Sequence, residues 1–135
     1  MLVHKIREGQ GKMTGTSVLP STDDLKYVKL EVSFQERGTV LAIPSTNMGT
    51  YETYERIPGQ LYGRGQVIVM IDEGDGIIWN GEGVGRPTGE GMALSFRRAV
   101  TFQRNPEKLA RLNSVVGVYG FEQDNEVNGQ FSGWE

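Results

Sequence analysis

Short runs in which apolar and polar residues alternate, punctuated by 19 glycines in 135 residues, constrain this chain more than any other feature. Alternation with a period of two buries one face and solvates the other only when the backbone is extended. Frequent glycine supplies the turns between such runs and the sharp coiling of a small sheet. The clearest run is residues 27–35, where Val28, Leu30, Val32 and Phe34 alternate with Lys29, Glu31, Ser33 and Gln35. Further strand-length segments occupy residues 9–19, 39–43, 50–57, 62–71, 77–84, 92–103, 115–122 and 130–134. Turns are expected at residues 20–24, at Arg37-Gly38, at Pro58-Gly59, at residues 73–76 and at residues 124–129, with residues 44–47 breaking the run around Pro44.

The pattern predicts an all-β fold of about eight antiparallel strands, and a closed barrel accounts for it better than a sandwich. Gly81, Gly83, Gly85, Gly117 and Gly120 suit tight coiling, and closure removes the edge strands that this chain has few prolines to guard. One segment departs from the pattern. Residues 105–113 carry a helix start signal, with Asn105 as the capping residue, Pro106 in the first helical position and Glu107 in the first turn. Leu109 and Leu112 then share a face, so a short helix over residues 106–112 is expected to lid one end of the sheet.

A chain of 15.0 kDa makes one domain, here residues 1–135 as a single barrel. Its N-terminus lacks the apolar block of a signal peptide, and no apolar run approaches a membrane span. With no cysteine the chain fits a reducing compartment, and a cytoplasmic location without membrane association is expected. A net charge of −3 argues against a general polyanion binder, and nucleic acid is not an expected partner. The cations Arg97, Arg98, Arg104, Lys108 and Arg111 cluster, yet Arg97 and Arg98 are strand neighbours and face opposite ways.

Motif chemistry is excluded more readily than assigned. The glycine cluster at residues 81–91 has Arg86 where a dinucleotide fingerprint needs its third glycine, and no phosphate-loop spacing occurs. His4 is the only histidine, so a histidine metal centre or a catalytic triad is not expected; neither a metal nor a cofactor is predicted. The anomaly is Arg98. The face formed by Met92, Leu94, Phe96, Val100 and Phe102 is otherwise apolar, and a guanidinium buried there needs a carboxylate or a ligand anion. Glu82, Glu52 and Glu55 are the candidate partners, and a snorkelling side chain that reaches solvent is the alternative. Trp79, Phe96 and Tyr119 are candidate pocket walls that could equally be core.

Five segments, Gly63-Arg64-Gly65-Gln66-Val67, residues 79–86, Ser95-Phe96-Arg97-Arg98-Ala99, residues 108–113 and Val118-Tyr119-Gly120-Phe121-Glu122, together resemble small uncharacterised prokaryotic proteins of the allene oxide cyclase barrel-like group. The resemblance covers roughly the C-terminal half. It implies an eight-stranded antiparallel barrel, often oligomeric, whose relatives bind apolar substrates in the lumen; no active-site residue of the plant enzymes has a match here. A homo-oligomer, with a dimer favoured, is expected also from apolar residues on both strand faces, Val67, Val69 and Ile71 against Ile68 and Met70. Three functions stand open: a barrel that binds a small apolar molecule through Trp79, Glu82, Phe96, Arg98 and Tyr119, a cyclase or isomerase using the same lumen, and a filled structural barrel acting through oligomerisation.

Overall fold

In a computed structural model, which describes residues 4–20, 28–71, 76–103 and 105–135, eight strands close into one antiparallel barrel. They are β1 (Lys5–Leu19), β2 (Lys29–Val40), β3 (Ile43–Ile57), β4 (Gln60–Ile71), β5 (Gly76–Pro87), β6 (Leu94–Gln103), β7 (Val116–Gln123) and β8 (Asn128–Trp134). Each strand pairs with the next in sequence, and β1 pairs with β8 to complete the ring. Backbone bonds between His4 and Glu135 fasten that seam. Among the described residues no helix is long and apolar enough to cross a membrane.

Glycine works here through its size. Large inward side chains face glycine across the ladder: Phe34 faces Gly49, Phe96 faces Gly85, Tyr119 faces Gly133 and Phe131 faces Gly9. A methyl group on Gly49 would lie 2.8 Å from the Phe34 ring, and one on Gly9 would lie 2.7 Å from the Phe131 ring. The narrow lumen therefore holds its aromatics because the paired position on the adjacent strand has no side chain.

Two sequence expectations need correction. The β2–β3 turn is Leu41-Ala42, not Arg37-Gly38, and residues 44–47 continue β3 without a break. Leu41 and Ala42 adopt φ of 46° and 65°, the two-residue hairpin geometry usually given to Asn-Gly. Gly38 instead lies inside the β1–β2 ladder opposite Gly9, where the two backbones approach closely. Pro44 sits at the second position of β3, directly after the turn, where a missing ladder N–H is tolerated. The turn at Pro58-Gly59 is as expected, with Gly59 at φ 79°. The expected turns at residues 20–24 and 73–76 fall largely outside the described residues.

The interruption before β7 is a 3₁₀ helix, Glu107–Ser114, kinked at Leu109. Pro106, not Asn105, occupies the capping position, and Asn105 Nδ2 donates to Asn113 Oδ1 at 2.7 Å across the helix. Leu109 and Leu112 are fully buried against a core that includes Ile6, Val40, Val69, Ile71, Ile77 and Phe102. The helix thus plugs the end of the barrel that also carries the β2–β3 turn. The other end, formed by the termini of β3, β5 and β7 and the starts of β4, β6 and β8, carries no helix among the described residues.

Candidate functional site

The lumen divides into two levels. Near the helix it is solid: Trp79 and Tyr119 pack with ring centroids 5.4 Å apart, Phe102 lies 6.5 Å from Tyr119, and Val67, Val69, Val100 and Ile77 fill the rest. Toward the other end a recess opens among Met13, Phe34, Tyr51, Leu94, Phe96 and Phe121. Phe34, Tyr51 and Phe96 form one continuous aromatic wall, with centroids 5.8 and 6.5 Å apart. Gly63 and Gly65 of β4 leave the recess its width. Counting the solvent at its mouth, the recess holds about 510 Å³ of empty space, and it is narrow enough that only a few waters would fit between its walls.

Three charged side chains from three strands meet where the two levels join. Alternation along β2 continues past Phe34 to Glu36, which is 4% exposed. Arg7 arrives by a different route, since the β1–β8 register slips between Lys5 and Arg7 and both Ile6 and Arg7 are buried. A bulge of this kind re-aims a side chain that strict alternation would send outward. Arg7 Nη2 lies 3.7 Å from Glu36 Oε1, and the Asn47 amide, turned to satisfy both of its ends, accepts from Arg7. The Arg7 guanidinium also stacks near Phe131, Tyr119 and Trp79, at 4.7, 5.0 and 5.8 Å from their ring centroids.

Arg98 is the third. It lies inside, partly buried and lining the recess, with its guanidinium 5.5 Å from the Trp79 centroid, 5.9 Å from Phe121 and 6.0 Å from Phe96. Its Nε is sealed from solvent without a hydrogen-bond partner, and among the described residues no carboxylate stands within 4.0 Å of it. Burial pulls its pKa down, opposed chiefly by the charge of Glu36. Burial likewise pushes the Glu36 carboxyl above its ordinary 4.5, with Arg7 and then Arg98 drawing it back. Tyr51 is raised by burial and feels the Arg98 charge, which places its hydroxyl in the same electrostatic neighbourhood.

The expected site residues separate on this geometry. Phe96 and Arg98 line the recess; Trp79 and Tyr119 lie beneath it as packed core, 2% and 1% exposed. Glu82 is not with them. It is exposed on the outer face of β5, where Tyr62 Oη donates to Glu82 Oε2 at 2.5 Å. Glu52 is also on the outside, paired with Lys29 at 3.2 Å, and Glu55 is exposed. The acid that faces Arg98 is Glu36, which the misplaced turn at Arg37-Gly38 concealed. Val67, Val69 and Ile71 point inward, while Ile68 and Met70 stand exposed outside at 47% and 37%.

No family model matches the chain, and no curated protein matches it in sequence. Two solved structures share its fold. A protein with unknown function from Clostridium acetobutylicum superposes with a TM-score of 0.76 at 13% identity, covering 97% of this chain and 96% of that one. The conserved protein of unknown function RPA1785 from Rhodopseudomonas palustris gives a TM-score of 0.78 at 10% identity, covering 99% of this chain and 97% of that one. The likeness therefore spans the whole barrel and concerns architecture.

Proposed function

We propose that this protein binds a small, largely apolar molecule in the recess of its lumen, entering at the end opposite the 3₁₀ helix. The observation that carries this reading is the division of the lumen. One level is filled by side chains, whereas the other is left as an aromatic-walled recess that ends on the polar head of Arg98. Apolar walls with a small number of converging polar groups are the usual composition of a ligand site. The resemblance to the allene oxide cyclase barrel-like group, whose members use the lumen for apolar substrates, supports the same reading. A cyclase or isomerase would use this same recess, and a molecule found to bind is the one whose turnover should be followed.

A thermal-shift screen of fatty acids, aromatic acids, lactones and neutral terpenoid-like compounds tests the proposal. A binder at 100 times its Kd should add about 2.7 kcal/mol of stability. Trp79 lies 5.5 Å from Arg98, so in a Trp134→Phe background its fluorescence should change with the same compounds. A screen in which no compound moves either signal would overturn the reading and leave a structural barrel.

A further inference from the structure

We infer that the lumen ligand is an anion, a carboxylate carried on an apolar body, and that Arg98 holds the carboxylate while Glu36 is engaged by Arg7. This inference rests on the lumen-binding reading and narrows it.

The argument is a charge count. Arg7, Glu36 and Arg98 are the charged side chains gathered inside the barrel among the described residues. Glu36 stands at ion-pair distance from Arg7, and both are almost fully buried. With Glu36 ionised the described lumen residues therefore leave one positive charge, that of Arg98, without a protein counter-ion, and protonation of Glu36 would add to the excess. Aromatic faces around Arg98 attract a cation without neutralising it. A neutral carbonyl could accept from Nε, yet it too would leave the charge in place. A carboxylate does both, since its two oxygens match the fork of a guanidinium.

Geometry separates an apolar acid from a free inorganic anion. The recess beside Arg98 is narrow, and its walls include Phe34, Tyr51, Phe96 and Phe121. A hydrated phosphate would lose its water there and meet aromatic carbon. A carboxylate whose apolar chain continues into the mouth loses little and buries the chain.

The test compares straight-chain acids from butyrate to dodecanoate, and phenylacetate, each beside its primary amide, with inorganic phosphate as the third arm. Binding is followed by calorimetry to wild type, Arg98→Met and Arg98→Lys, with far-ultraviolet circular dichroism confirming that each variant is folded. The acids should bind wild type about tenfold to a hundredfold more tightly than their amides, as a charged hydrogen bond at a buried site implies. R98M should erase that preference, and R98K should retain part of it. Amides that bind as well as the acids would overturn the anion assignment while leaving the lumen-binding reading intact. Phosphate binding as tightly as the best acid would make the site a simple anion site and overturn the apolar-acid assignment. A preference for acids that survives in R98M would remove Arg98 from the site, and binding by none of the three arms would contradict the inference outright.

Discussion

Arg7 and Glu36 meet at 3.7 Å inside the barrel, their side chains 0% and 3% exposed, and this pairing leaves Arg98 as the unmatched charge of the lumen. Arg7 and Glu36 come from adjacent strands, and each contributes a different exception to the rule that charge stays outside. Glu36 obeys the inward phase of β2, and Arg7 enters through a bulge.

The two ends of this arrangement should respond oppositely to substitution. Glu36→Ala removes the buried acceptor beside Arg7 and leaves that guanidinium without its carboxylate, and a loss of about 1–3 kcal/mol is expected. Arg98→Met replaces a half-buried guanidinium whose Nε has no partner by an apolar side chain of similar length and should be neutral or mildly stabilising. Urea denaturation of both variants decides the order. If R98M is the more damaging change, Arg98 has a structural partner and is not poised for a ligand.

Acid–base behaviour follows from burial of Glu36. Its folded-state pKa lies above its ordinary 4.5, so the folded protein holds a proton that the unfolded chain has released. The sign is therefore that stability is fully present below about pH 4.5 and declines as pH rises through the folded value. Glu36→Gln should flatten that decline, which stability measured from pH 4 upward will show. A decline that persists unchanged in E36Q would assign it to another group.

Wall glycines should divide by what lies across from them. A methyl at Gly133 would run into the Tyr119 ring, whereas Gly15 has open space within 4 Å. Gly133→Ala should therefore cost about 1–3 kcal/mol through overpacking, and Gly15→Ala should stay within about 0.5 kcal/mol of wild type. Thermal unfolding of the two variants is sufficient, and equal costs would refute the account of glycine as the complement of the lumen aromatics.

Much of this architecture is legible in the sequence because a two-residue period is a direct imprint of an extended, half-buried backbone. Val32 and Phe34 on β2, and Phe96, Arg98, Val100 and Phe102 on β6, face inward as their alternation requires. The same period counted from Trp79 through Gly81 and Gly83 sends Glu82 outward, a signal that the carboxylate's appeal as a partner for Arg98 outweighed. Two members of the site were hidden for physical reasons. Gly38 imitates a turn but serves close strand packing, while the real turn uses Leu41 and Ala42 in a left-handed geometry that local sequence does not advertise. Arg7 is concealed by a bulge, which shifts the phase by one residue without leaving a compositional mark.

The most direct measurement is the nitrogen-15 NMR signal of the Arg98 Nε–H group, assigned by its loss in Arg98→Lys, during titration with the tightest-binding apolar acid. That Nε is sealed in the lumen and has no hydrogen-bond partner of its own. The account predicts a saturable downfield shift of this proton on adding the acid, with little shift on adding the matching amide. A signal that does not move while the acid binds elsewhere on the protein would contradict it.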